Sequence, residues 1–420
     1  MIKNLNELTT TKIRKKILEI LDYGLEETRT STILKNSVKL KGGILTVQKK
    51  DFDLSKSKRI FILGIGKASG EACQYLEKLL GKKLAAGWCI DVSKRKFNKI
   101  KFTLGSHPHS SKKNFEFTKE VVETFSNLKE DDFVITVISG GGSALFCYPF
   151  ESECITQVKL FKKLTKKGAN IKDINIVRKH LSLVKGGGLA KIIFPAKLIS
   201  LIFSDVPGDD LTTIASGPSI KDPTNIKDAE KILKKYNIKY EGKFFETPKE
   251  NKYFKNIFNF LLCSSKTTLK AMQKKAKELK INSKIFKTNF QADADEAGKI
   301  LLEKTNSGEL LLAGGETTVK IKGSGKGGRN QQVVLSALKF LKENELIISC
   351  ASDGHDYTKA AGAVGDKETI KKTKELGLDP EKFAKNNDSF NFFKKTKDQI
   401  ITGPTGINVS DIFLIYKSNN

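Results

Sequence analysis

Arg59-Ile60-Phe61-Ile62-Leu63-Gly64-Ile65-Gly66-Lys67-Ala68-Ser69-Gly70 reads as a buried strand, a glycine turn and the opening of a helix that runs through Leu80. Its apolar run lacks the polar alternation of a half-solvated strand, so it belongs inside a sheet covered on both faces. The pattern recurs at Phe133–Ile138, followed by Ser139-Gly140-Gly141-Gly142-Ser143-Ala144, and at Lys197–Phe203, followed by Ser204-Asp205. Ala86–Val92 is a further strand, and Asn114–Leu128 and Glu153–Lys167 are helices between strands. Such alternation predicts an α/β fold with a Rossmann-like, mostly parallel sheet.

Outward from this core, residues 10–35 carry Ile13, Ile17, Ile20, Leu21 and Leu25 at helical spacing and predict one amphipathic helix. The polar, Lys-rich stretch from Ile220 to Tyr253 reads as a linker or peripheral excursion. Strands are predicted again at Phe258–Leu262, Glu309–Ala313, Thr317–Ile321 and Leu346–Ala351, with a helix at Asn330–Lys342 and a helical stretch over 371–397. Ile400–Pro404 and Ile412–Tyr416 close the chain. The expected organisation is two domains, 1–245 and a smaller α/β region at 246–420.

The 420 residues are 39% hydrophobic and 29% charged, which supplies a core and excludes wholesale disorder. No apolar stretch approaches the roughly 18–20 residues of a membrane helix; the best, Leu198–Phe203, is far shorter. The first residues lack an apolar signal region, so a cytoplasmic protein with no membrane partner is expected. Net charge is +28, yet only six basic residues are Arg (14, 29, 59, 95, 178 and 329) and 69 are Lys scattered along the chain. Scattered Lys without interleaved aromatics is a solvated surface, and no nucleic-acid partner is expected. An Arg retained against this bias marks a place where a planar fork of donors is needed. Six cysteines form no CxxC pair and no metal spacing with His, as in reduced, buried thiols.

Chemistry concentrates in glycine-rich turns. Gly64, Gly66 and Lys67 stand where backbone N–H groups at a helix start attract an anion. The same turn resembles a loose dinucleotide fingerprint with Asp91 as the ribose acid, and a tight turn with a surface lysine accounts for it equally. Ser139, Gly140, Gly141, Gly142 and Ser143 form a nest for a phosphate or carboxylate. Arg178, Lys179, His180 and Lys185, beside Gly186-Gly187-Gly188, suit an anionic-substrate clamp, Lys185 being its weakest member. Asp205, at a strand end in Ser204-Asp205-Val206-Pro207-Gly208-Asp209-Asp210, suits Mg²⁺ or a substrate hydroxyl proton, while Asp209 and Asp210 read as helix caps. Gly315, Glu316, Gly325, Gly327, Gly328, Arg329 and Asn330 make a second anion site at a helix start, and Asp353 is a metal or nucleotide ligand or a plain Asp-Gly turn. The four His show no zincin spacing, and no GxSxG elbow is present.

Taken together, GIGKAS, GSHP, VISGGGSALF, INIVRKHLSLVKGGGLA, SDVPGDDLTTIASGPS, GGETTVKIKGSGKGGRNQQ, SDGHDYTKAAGA and TGPTGINVSD resemble the glycerate 2-kinase family in order and over nearly the whole chain. That resemblance implies a Rossmann-like MOFRL-associated domain, a C-terminal MOFRL domain at about 308–415, and an active-site cleft between domains. It implies ATP-dependent phosphorylation of D-glycerate to 2-phosphoglycerate, with ATP and Mg²⁺, and leaves a homodimer open. By motif position Lys67 and Arg329 match a basic pair that stabilises the transferring phosphoryl group, and Asp205 matches an acid with base or metal duty. In this reading Ser139–Ser143, Arg178 and Lys179 hold the carboxylate, and Arg329, Asp353 and the C-terminal glycines meet ATP and Mg²⁺. Tyr357-Thr358-Lys359 and Ser264-Ser265-Lys266 depart from the family pattern. The alternative is an NAD(P)H-dependent hydroxypyruvate reductase using the GIGKASG turn and Asp91.

Overall fold

Six strands carry the first half of the molecule: β4 (Arg59–Ile65), β5 (Leu84–Asp91), β6 (Ile100–Leu104), β7 (Asp132–Ile138), β8 (Lys197–Phe203) and β9 (Ile257–Cys263). They follow an antiparallel meander of β1 (Val38–Lys41), β2 (Ile44–Val47) and β3 (Lys50–Asp53), which is Lys-rich and short enough to escape the hydrophobic pattern. The sheet order is β6-β5-β4-β7-β8-β9, and the β6–β5, β5–β4, β4–β7 and β7–β8 pairs are parallel. β7 is buried along its whole length, and β4 everywhere but at Arg59. Helix Lys112–Phe125 covers one face, packing Phe117, Val121 and Phe125 on Phe61, Leu63 and Trp88. Between β4 and β7 the winding reverses, so the carboxyl ends of these two strands open a crevice where doubly wound sheets bind ligands.

This computed structural model describes every residue except Ser152, Pro207 and Asn420, and it divides into two compact units. The first unit is Ile33–Leu262; the second joins Met1–Thr32 to Cys263–Asn420. The units therefore differ from a division at 245/246. β9 completes the first sheet, which carries the chain past 245. Helix Lys12–Glu27 packs on helix Ser265–Glu278, where Gly24 leaves room for Met272, so the first residues belong to the second unit. The expected helix over 10–35 is two, Lys12–Glu27 and Thr30–Ser37. The expected linker is structured: Asn225 and Asp228 box the start of helix Ile226–Lys235, and Ala229 and Leu233 pack on Ile174 and Val177.

In the second unit β10 (Asn282–Phe290), β11 (Glu309–Gly315), β12 (Glu345–Ala351), β13 (Gly362–Asp366), β14 (Gln399–Ile400) and β15 (Asp411–Lys417) lie in the order β10-β11-β15-β12-β13-β14. Only the β10–β11 pair is parallel among these five pairings. Thr317–Ile321, predicted as a strand, is a loop with one bridge, Thr318 to Asp293. The stretch over 371–397, expected as helical, is three short helices, Lys367–Glu375, Pro380–Lys385 and Ser389–Thr396, with turns between them. Arg14 is fully buried and bidentate to Asp366, with Asp398 at 2.8 Å, tying helix Lys12–Glu27 to this unit.

Candidate functional site

The loops after β4 and β7 interlock. Lys67 donates its backbone N–H to Gly140 at 2.8 Å, Ser139 donates to Ile65 at 2.9 Å, and the Ser139 hydroxyl bonds the Lys67 carbonyl. Gly66 has φ +115°, and a Cβ there would strike the Ser139 carbonyl. Gly64 leaves space for the sulfurs of Cys73 and Cys89. These two glycines thus pack backbone against backbone and helix against strand. The helix start is capped from within: Asp91 accepts from Gly70 N–H at 2.9 Å and from Val92 N–H at 2.6 Å. A carboxylate so engaged is not poised as a ribose acid, and the N-terminus it caps is not open to a pyrophosphate.

A cavity of about 530 Å³ opens beside these loops, lined by His107, His109, Gly141, Ser143, Arg178, Lys185 and Asp205. Lys67 is half-buried and runs past Gly141, where an added Cβ would meet both its Cγ and the His107 ring. Arg178 gives one N–H to Asn175 at 2.8 Å and lies 4.7 Å from the Phe161 ring centre. Burial pulls its guanidinium down to about 10, which leaves it charged at neutral pH. Ser143 Oγ meets Ser216 Oγ at 2.8 Å. Asp205 is half-buried in the wall, while Asp210 caps the following turn through Thr212 N–H at 2.9 Å. Pro207 of the same motif lies outside the described residues.

Neighbours in sequence part company here. Lys179 is buried and paired with Asp222 at 3.1 Å, away from the cavity wall. Lys185 is buried and donates to the Ser143 and Phe146 carbonyls at 2.8 and 2.9 Å, so it braces the glycine loop. Burial, with Arg178 nearby, lowers its ammonium to about 7. The sequence reading missed a thiol pair in the same wall. Cys147 and Cys154 bring their sulfurs to 2.6 Å, and contact with Cys154, aided by Lys185 and Arg178, lowers the Cys147 thiol below the ordinary range. Their six intervening residues hid the pair; its signal was that both follow closely after the glycine-loop motif.

The second unit holds a cavity of about 500 Å³ lined by Glu316, Thr317, Gly325, Gly327, Gly328, Arg329, Gln332 and Tyr357 among others. Arg329 is held by Asp411, Nε to Oδ2 at 2.6 Å and Nη2 to Oδ1 at 3.1 Å, and Nη1 reaches Glu316. These carboxylates hold its pKa up against burial. Burial in turn raises Asp411 to about 6. The helix start expected as an anion site is already satisfied: Asp356 accepts from Asn330 N–H at 3.0 Å and Gln331 N–H at 2.9 Å. Asn330 is buried among Asp356, Asp411 and Ser349 and does not line the cavity. Gly315 ends β11 against Phe290, and Asp353 is exposed, its carboxylate taking His355 N–H at 2.9 Å. The glycine loop is anchored: Lys322, Ser324 and Lys326 donate backbone N–H groups to the side chains of Asn387, Asn386 and Asp388.

Among the described residues no three His, Cys, Asp or Glu gather as a metal cage. A cavity-wall carboxylate such as Asp205 still fits Mg²⁺, which keeps its waters and uses one or two carboxylates plus substrate phosphates. No helix among the described residues is long and apolar enough to cross a membrane.

A doubly wound sheet with fixed cations and a carboxylate beside its switch-point loops defines an α/β protein built for small anionic ligands. The family profile described as Domain of unknown function (DUF4147) matches residues 16–244, and that of the MOFRL family matches residues 309–411. D-glycerate 2-kinase of Thermotoga maritima is 37% identical over 378 residues, covering 85% of this chain and 90% of that one. Glycerate 2-kinase of Pyrococcus horikoshii is 37% identical over 407 residues, covering 90% and 91%. The crystal structure of a Thermotoga maritima glycerate kinase superposes with a TM-score of 0.86 at 33% identity, covering 96% of this chain and 99% of that one. The chain belongs to the glycerate kinase family.

Proposed function

We propose that this protein transfers the γ-phosphoryl group of ATP to the 2-hydroxyl of D-glycerate, giving 2-phosphoglycerate and ADP, in the cytoplasm. The observation that carries this reading is the first unit's cavity, where Arg178, Ser143, Gly141 and Asp205 share one wall and Lys67 passes alongside. The names of these relatives point to the same reaction.

In this reading the Arg178 N–H groups beyond the one held by Asn175, with the Ser143 hydroxyl, take the glycerate carboxylate. Asp205 accepts the 2-hydroxyl proton as the oxygen attacks the γ-phosphorus and the bond to the β–γ bridging oxygen breaks. The Lys67 ammonium offsets the charge that grows on the transferred group. We assign the triphosphate to the second unit's cavity, where Arg329 exchanges its Glu316 contact for a phosphate oxygen and keeps Asp411 as its anchor. Asp205 is the carboxylate that would hold Mg²⁺, which neutralises phosphate charge when bound. The reductase reading is weaker, because Asp91 and the helix start of the GIGKASG turn satisfy each other.

The test is ³¹P NMR of purified protein with D-glycerate, ATP and Mg²⁺. A 2-phosphoglycerate resonance is expected, and Lys67→Ala should lose at least about 10²-fold in kcat. No phosphorylated product, together with NADH consumption on hydroxypyruvate, would overturn the reading.

A further inference from the structure

The second unit's cavity carries features that binding a phosphate chain does not need. Among the described residues, Thr317 Oγ1, Gln332 Oε1 and Ser389 Oγ are buried without a partner, and all three residues line this cavity. Thr317 and Gln332 are each 1% exposed, and Ser389 is fully buried with its hydroxyl against Gly327. Unpaired buried polar atoms are uncommon and ask for a reason. The Gln332 amide is fixed by its surroundings: its nitrogen donates to Asp295 Oδ1 at 2.7 Å and to the Ala384 carbonyl at 3.0 Å. Both neighbours are acceptors, so the amide cannot turn over, and Oε1 remains an obligate acceptor.

Two large side chains of the same lining are left open to solvent. Ile321 is 85% exposed and Tyr357 is 73% exposed, with Val319 beside them in the wall. Tyr357 is moreover held at φ +54°, a conformation bulky residues rarely adopt. Polar atoms in the wall, an aromatic face at the surface and an arginine in one cavity match a flat heteroaromatic ring attached to a phosphate chain.

We infer that this cavity is a nucleobase site in which Gln332, Thr317 and Ser389 read the edge of an adenine while Tyr357 and Ile321 cover its face. The adenine exocyclic amine is a donor and satisfies Gln332 Oε1. Guanine places a carbonyl at the corresponding ring position, and two acceptors then face each other. The hydroxyls of Thr317 and Ser389 donate or accept as ring nitrogens require. The inference rests on the kinase reading only for the presence of a nucleotide.

The test is equilibrium binding to the full chain by calorimetry, without turnover, using ADP, GDP and inorganic tripolyphosphate. ADP should bind at least about tenfold tighter than GDP. Tyr357→Ala should weaken ADP about tenfold and leave tripolyphosphate unchanged, and Tyr357→Phe should restore ADP binding, because stacking needs the ring and not the hydroxyl. Equal binding of ADP and GDP, or no effect of Tyr357→Ala on ADP, would overturn the base site. If D-glycerate is still phosphorylated in that case, the kinase reading survives its loss. Adenine-dependent binding without any phosphorylated product would leave the base site standing and remove the kinase reading.

Discussion

Lys67 N–H and the Gly140 carbonyl meet at 2.8 Å, so the loop after β4 and the loop after β7 are one piece of backbone. Lys67 is therefore placed by a segment more than seventy residues away in sequence, and whatever shifts one loop shifts the other.

Gly66 is the position most sensitive to this lock. Its φ of +115° and the Ser139 carbonyl against its missing Cβ leave no room for a side chain. Gly66→Ala should cost at least about 2 kcal/mol in urea unfolding. A change within about 0.5 kcal/mol would show that the two loops are not locked.

Asp356 holds the start of helix Arg329–Ala337 through Asn330 N–H, Gln331 N–H and the Gln331 amide. Asp356→Ala leaves these buried donors unpaired and should cost about 2–4 kcal/mol, with Asp356→Asn costing less because one acceptor remains. Denaturant titration of both variants measures the difference.

Lys185 sets a pH dependence of known sign. Its folded value of about 7 lies below the roughly 10.4 of an unfolded lysine. The folded state then binds fewer protons between these limits, so stability rises with pH through that window and is lost as pH falls toward 7. Unfolding at pH 7 and pH 9 should show wild type gaining on Lys185→Met at the higher pH. A parallel response of the two proteins would contradict the assignment.

Cys147 should alkylate with iodoacetamide at a lower pH than an ordinary thiol. Cys154→Ala removes the hydrogen bond that favours the thiolate, and the midpoint should move up. Mass spectrometry of the alkylated peptides follows both.

Runs of consecutive apolar residues placed β4, β7 and β8 correctly, because central parallel strands bury both faces. Short half-solvated strands such as β1 to β3 left no such trace. The rarity of arginine pointed to two residues that line cavities, Arg178 and Arg329. It also fits Arg14, whose fork is spent inside the second unit on Asp366 and Asp398. The demand for a planar donor is the same in a core and in a binding wall, so scarcity alone does not separate them. Lys179 and Lys185 show the same limit: both are buried lysines in one motif, and only their partners, Asp222 in one case and two carbonyls in the other, tell what each does. Asn330 reads as a ligand group because nothing in sequence announces that Asp356 reaches back to cap it.

The packing of Met1–Thr32 with Cys263–Asn420 has a bearing on how the chain is made. A ribosome delivers the helix at Lys12–Glu27 long before its main packing partner, because Ser265–Glu278 emerges only after the whole of Ile33–Leu262. The intervening unit is contiguous and can collapse during synthesis. The leading helix must wait beside it with Ile17, Leu21 and Leu25 uncovered, so this short segment is where a nascent chain most needs a chaperone.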